Sequence, residues 1–174
     1  TLAGESLRGI KVALDRSTSG QGHVIGISSP RRGTGKTTLA YNLALLAAQA
    51  GRRTLLVDAD LRHSTLARSL TSKHQPGLVT LVAGQADMAD CIVEHRPLLH
   101  VIGETSGSGA MHPSEILGST AMVAAVDRLR KTYDYIIIDL PPLLDCVDVR
   151  ACAPAIALFI LVTEWGRTPV EDLD

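Results

Sequence analysis

An α/β fold, with a mostly parallel central sheet between two layers of helices, is what this 174-residue sequence predicts. Three observations carry the prediction. Short β-branched apolar runs recur along the chain, and most are continuous rather than alternating, as strands buried on both faces require. Helical periodicity fills the gap between the first run and the second. The first run ends in a glycine-containing turn, "GTGKTT" (33–38), that opens directly into that helix.

The runs are His23–Ser28, Thr54–Asp58, 100–103, 133–139 and 156–163, bounded by polar or glycine-containing segments. The clearest helix starts at Lys36: Leu39, Leu43, Leu46 and Ala50 recur at helical spacing, and Gly51 follows as a left-handed terminator. A second helix covers 114–131, with Ile116, Leu117, Met122, Val123, Val126 and Leu129 on one face and a break marked by Gly118. Shorter helices are expected over 6–15 and 78–83, giving β/α alternation throughout, and "TSGSGAMHP" (105–113) reads as a mobile loop.

At 45% hydrophobic and 20% charged residues, the chain fits one globular domain, 1–174, with a sizeable core. A formal net charge of -1 offers no global field for nucleic acid or anionic lipid. The longest apolar run, 155–162, falls far short of the ~20 residues that span a bilayer, and nothing at the start reads as a signal peptide. The chain therefore reads as soluble. Because it starts at Thr1, it also reads as a piece of something longer, whose membrane anchor would lie outside it. Cys91, Cys146 and Cys152 form no CxxC pair and read as reduced core thiols, and the six histidines are scattered without ligand spacing.

The strand-turn-helix context of "GTGKTT" is the setting in which such a loop binds phosphate. Backbone N–H groups of Gly33, Thr34, Gly35, Lys36, Thr37 and Thr38 can wrap a phosphate at the positive end of the helix. Lys36 would bridge the β- and γ-phosphates of ATP, and the Thr37 hydroxyl would ligate Mg2+. The strict pattern GxxxxGK(S/T) fails at its first position, where Pro30 sits, and Arg31 and Arg32 follow where glycine is expected. "LLVDADLR" (55–62) places Asp58 and Asp60 on one side of the C-terminal end of a strand, where ligands of open α/β sheets bind. "YIIIDLPP" (135–142) ends another strand in Asp139, suited to hold Mg2+ through a water. Phosphoryl transfer also needs a group that orients or deprotonates the attacking hydroxyl. Asp58 is the candidate, close to both metal and nucleophile, and Asp60 is the alternative base.

Together "SSPRRGTGKTT" (28–38), "LLVDADLR" and "YIIIDLPPLLDCVD" (135–148) resemble the Walker A, Walker A′ and Walker B motifs of bacterial tyrosine kinases. In particular they resemble the cytoplasmic kinase domain of polysaccharide co-polymerases. "HPSEILGS" (112–119) is similar to the family's NPSELL stretch and "WGRTP" (165–169) to the GxT after its late strand, while Asp148 sits where the family carries an aspartate after Pro-Pro. "ESLRGIK" (5–11) resembles the family's ExxRxxR element, with Lys11 for the last arginine. That likeness implies that Glu5, Arg8 and Lys11 pack one subunit on the next in a ring.

The resemblance implies a three-layer P-loop NTPase fold that binds Mg-ATP and transfers the γ-phosphate to tyrosines. Its implied partners are other copies of itself and a membrane-spanning segment or partner of an exopolysaccharide or capsule export system, with no nucleic acid. Its implied place is the cytoplasmic side of the bacterial inner membrane, where it would tune polymerisation, chain length and export. One departure stands out: Tyr41, Tyr133 and Tyr135 are the only tyrosines, all in predicted helix or strand, so no acceptor cluster follows. Two other readings stay open. One is a non-catalytic or hydrolytic regulatory ATPase module of the same export system. The other is a partitioning or positioning ATPase, although such proteins carry a signature lysine where Arg31 stands, and an arginine fork does not replace a lysine point charge.

Overall fold

A computed structural model describes residues 2–17, 22–71, 75–104 and 112–173. Its centre is a six-stranded sheet in the order β3-β4-β2-β5-β1-β6. The strands are β1 (His23–Ser28), β2 (Thr54–Asp58), β3 (Val93–Arg96), β4 (Leu99–Ile102), β5 (Tyr135–Asp139) and β6 (Leu158–Leu161). All pair in parallel except β3 with β4. The helices are α1 (Leu2–Ser17), α2 (Lys36–Gln49), α3 (Thr65–Leu70), α4 (Leu78–Val82), α5 (Met88–Cys91), α6 (Pro113–Leu117), α7 (Thr120–Leu129) and α8 (Asp148–Cys152). Short 3-10 turns add Ala153–Ala155 and Val170–Leu173.

Alternate strand residues feed two apolar layers. Ile25, Ile27, Leu56 and Ile137 pack with Leu14 of α1, Leu43, Ala44 and Ala47 of α2 and Leu66 of α3. Val24, Leu55, Val57, Ile136 and Ile138 pack with Leu81 of α4, Ile116 of α6, Met122 and Val126 of α7 and Val149 of α8. The central runs are continuous in sequence because both of their faces are covered. The same alternation aims the acids. Asp58 follows Leu56 by two positions and Asp139 follows Ile137 by two, so both leave the sheet on the α2 side. They are also partners in the β2–β5 register.

Six strands stand where the sequence predicts five. β3 has no apolar run because it is an edge strand, and its residues alternate between half-buried and exposed. It pairs antiparallel with β4 across a turn in which Leu98 takes a φ of 64°, so the β/α alternation breaks here. β5 begins at Tyr135 rather than 133, because Tyr133 lies in the turn after α7, its hydroxyl 2.7 Å from His100 Nδ1. β4 and β6 likewise take 99–102 and 158–161 instead of 100–103 and 156–163.

The predicted helix over 114–131 is two helices. Gly118 ends α6, and the Ser119 hydroxyl then accepts the Met122 N–H at 3.1 Å and caps α7. Helices α3, α5 and α8, of 6, 4 and 5 residues, are too short for periodicity to reveal. Gly51 ends α2 at a φ of 80°, as its position implies. Residues 105–111 of the expected loop lie outside the described residues, and Pro113 opens α6. Cys91 and Cys152 are core thiols, whereas Cys146 is only half-buried, its Sγ 3.8 Å from the Pro142 carbonyl. No helix among the described residues is long and apolar enough to cross a membrane.

Candidate functional site

The loop between β1 and α2 is built in two halves. The first is stitched to the segment after β5: the Leu143 N–H donates to the Ser29 carbonyl at 2.8 Å, the Leu144 N–H to the Pro30 carbonyl at 3.2 Å, and the Ser28 hydroxyl to the Pro141 carbonyl at 2.7 Å. Pro30 is buried in this seam, which accounts for its departure from the strict phosphate-loop pattern. The second half turns through Gly33 at a φ of 83° and Gly35 at 90°, in the left-handed region that glycine enters without strain. Gly35 precedes α2 with no side-chain cap, and a Cβ built on either glycine would meet nothing within 4 Å. The first N–H groups of a fourteen-residue helix have no partner within the helix and no side-chain cap at Gly35, which is the condition an anion site uses.

Lys36 is the first residue of α2, where the helix dipole disfavours a cation. Two acids offset that cost. Its Nζ lies 3.1 Å from Asp60 Oδ2 and 3.5 Å from Asp139 Oδ1, and the Thr37 hydroxyl donates to Asp139 Oδ2 at 2.7 Å. Asp139 is only 1% exposed, and burial pushes its carboxyl above the ordinary carboxylate range against the opposing pull of the Lys36 ammonium and the Thr37 hydroxyl. Asp60, at 5% exposure, also takes the His63 N–H on Oδ1 at 3.1 Å. The three motifs, far apart in sequence, meet at one point at the C-terminal edge of the sheet.

A cleft of about 430 Å³ opens over these groups. Gly33, Gly35, Lys36, Thr37, Thr38 and Asp60 line it, together with Arg32, His63 and Thr65. Asp139 meets the cleft through Lys36 and Thr37. Thr34 and Asp58 do not line it, and Asp58 is fully buried opposite Asp139. His63 and Thr65 escape a reading by motif. The one signal for His63 is its place directly after "LLVDADLR".

Outside the cleft, Asp148 is 1% exposed and accepts from Arg62 on both oxygens, at 2.8 and 3.2 Å, tying the turn after β2 to α8. Arg31 reaches Asp172 at 2.6 and 3.0 Å. Of the residues expected at a subunit interface, Glu5 and Arg8 are exposed. Lys11 is half-buried, with its ammonium 5.8 Å from the centre of the Tyr135 ring of its own chain.

The donor set fits a hard cation. The Thr37 hydroxyl and the Asp58 and Asp139 carboxylates offer oxygen, the donor that Mg2+ selects. Among the described residues no group of three or more His, Cys, Asp or Glu side chains converges to hold a metal.

Residues 22–164 match the AAA domain family AAA_31. The succinoglycan biosynthesis transport protein ExoP of Rhizobium meliloti (strain 1021) is 38% identical over 168 residues, which are 95% of this chain and 21% of ExoP. Tyrosine-protein kinase CpsD of Streptococcus agalactiae is 38% identical over 146 residues, 83% of this chain and 63% of CpsD. The solved BceF tyrosine kinase domain superposes with a TM-score of 0.81 at 32% identity, covering 97% of this chain and 68% of that one. The chain thus spans about a fifth of ExoP and under two thirds of CpsD. On its motifs, its fold and these matches, the chain belongs to the AAA_31 family of AAA domains and, within it, to the bacterial tyrosine kinases.

Proposed function

We propose that this domain binds Mg-ATP in the cleft at the start of α2 and transfers the γ-phosphate to tyrosine, as the regulatory kinase of an exopolysaccharide or capsule export system at the bacterial inner membrane. The observation that carries this reading is the meeting of Lys36 and Thr37 with Asp60 and Asp139 beneath an open glycine loop. A cation at Thr37, with Asp58 and Asp139 behind it, supplies charge neutralisation on the phosphates when bound. Lys36 exchanges its two carboxylates for phosphate oxygens, and the N–H groups that follow Gly35 hold the anion. Asp60, the acid of β2's end that lines the cleft, takes the proton of the attacking hydroxyl, and the more deeply buried Asp58 serves the metal side.

Tyr133 and Tyr135 are 5% and 4% exposed, and the Tyr41 hydroxyl lies 3.1 Å from His95 Nε2. The acceptor on this reading is accordingly a tyrosine outside these three, and Glu5 and Arg8 on α1 supply a polar face for the neighbouring copy. The burial of these phenols also supports the second reading, a regulatory ATPase without tyrosine transfer. Against the partitioning ATPase stands Arg31 itself, an arginine fork in place of that group's signature lysine, here paired with Asp172 of its own chain. Incubating the longest natural form of the protein with γ-labelled ATP and Mg2+ and probing for phosphotyrosine separates them. Kinase function predicts label on tyrosine that is lost in Lys36→Met, whereas release of labelled inorganic phosphate alone would favour the ATPase.

A further inference from the structure

Arg32 has no assigned task, yet it borders the phosphate cleft. Its Nε donates to Asp145 Oδ2 at 3.0 Å, and its Nη2 lies 2.9 Å from His63 Nδ1. Asp145 belongs to the segment after β5 and His63 to the turn after β2. One side chain of the phosphate loop thus spans both segments that follow the acidic strand ends. A guanidinium only donates, so His63 Nδ1 accepts and the imidazole proton sits on Nε2. The guanidinium also carries more N–H groups than these two bonds use. Its contact with Asp145 is a half-exposed ion pair, with side-chain exposures of 48% and 38%, and such pairs hold weakly. A phosphate offers the same planar fork a better partner, because it accepts two parallel charge-assisted bonds.

We propose that Arg32 is a ligand of the nucleotide's terminal phosphate, with His63 as its positioning partner and Asp145 as the anion it gives up on binding. Arg32 thereby makes the cleft discriminate nucleoside triphosphate from diphosphate. The inference rests on the cleft's being a nucleotide site and adds a second side chain, beside Lys36, on the third phosphate. Lys36 and the loop N–H groups reach the β- and γ-phosphates from the helix end, whereas Arg32 approaches the γ-phosphate from the lip of the cleft. The neighbouring Arg31 is turned to Asp172 and does not line the cleft.

The test is calorimetric titration of the purified chain with Mg-ATP and with Mg-ADP, in the unmodified protein and in Arg32→Ala, Arg32→Lys, Asp145→Asn and Arg31→Ala. Arg32→Ala should weaken ATP binding by roughly tenfold while ADP stays within about twofold, the loss expected for one charge-assisted phosphate contact at a half-exposed position. Arg32→Lys should fall between, having the charge without the fork. Asp145→Asn should tighten ATP relative to ADP, because the competing anion is gone, a gain that a merely structural role for the Arg32–Asp145 pair would not give. Arg31→Ala should leave the ATP-to-ADP ratio unchanged. If the unmodified chain binds neither nucleotide, the cleft's assignment fails and this inference with it. If it binds both and the ratio is the same in Arg32→Ala, the inference alone is overturned.

Discussion

Replacing Lys36 by methionine tests the site before any nucleotide is added. The ammonium is held between two buried carboxylates, with side-chain exposures of 11% for Lys36, 7% for Asp60 and 2% for Asp139. Solvent screening is slight at these exposures, and leaving a buried charge without its partner costs on the order of 3–5 kcal/mol. One effect reduces that figure: methionine removes a cation from the helix N-terminus, worth roughly 0.3–1 kcal/mol. A net loss of about 2–4 kcal/mol is expected at pH 8, or roughly 4–16 °C in melting temperature for a domain of this size.

The sign with pH follows from the direction of the Asp139 shift. A carboxyl whose folded pKa is raised contributes stability that is present below its unfolded value and is lost as pH rises through its folded value. Without Lys36 the folded value rises further, so the gap between variant and parent should widen from the ordinary carboxylate pKa upward. Urea denaturation of both proteins, ligand-free, at pH 8 and pH 5 measures it. A variant as stable as its parent at pH 8, or a penalty that grows on acidification, would refute the charge arrangement described here.

Asp58→Ala should keep nucleotide binding within severalfold of the parent, because Asp58 does not line the cleft, and lose phosphoryl transfer, because the metal side of the site gives up a carboxylate; titration and a transfer assay on the same preparation check both halves. Arg62→Ala should cost roughly 2–3 kcal/mol, discounted for the 33% exposure of the arginine side chain, because it strands the Asp148 carboxylate in the interior. The readout is the denaturation midpoint, and a change under ~0.5 kcal/mol would mean that water or another donor already serves Asp148. Gly35→Ala places a Cβ in the open loop at a φ of 90° and should lower stability by roughly 1–2 kcal/mol while weakening Mg-ATP binding at least about tenfold. Comparable small losses in both would show that the loop tolerates the side chain and does not wrap phosphate.

The central strands were legible because burial on both faces leaves a continuous apolar run, and Asp58 and Asp139 were legible because each ends such a run. β3 was not, since an edge strand alternates and its sequence, VEHR, looks like loop. The break in the long helix was marked by Gly118, but only the Ser119 cap shows that a second helix starts there. Within the site, the motifs named Lys36, Thr37, Asp60 and Asp139, which the fold brings together, yet they put Asp58 ahead of Asp60 as the base, whereas Asp60 is the acid that lines the cleft. That ranking depends on how far each acid projects past the end of β2, a matter of packing that period-two alternation does not encode. Arg32 and His63 were invisible as a pair because their contact joins two loops that only the folded sheet brings together.

Phosphotyrosine mapping by mass spectrometry, after incubation of the longest natural form of the protein with Mg-ATP, tests the central claim most directly. The account predicts phosphate on tyrosines other than Tyr41, Tyr133 and Tyr135, dependent on Lys36 and on Mg2+. Phosphotyrosine at undiminished yield in Lys36→Met would contradict it.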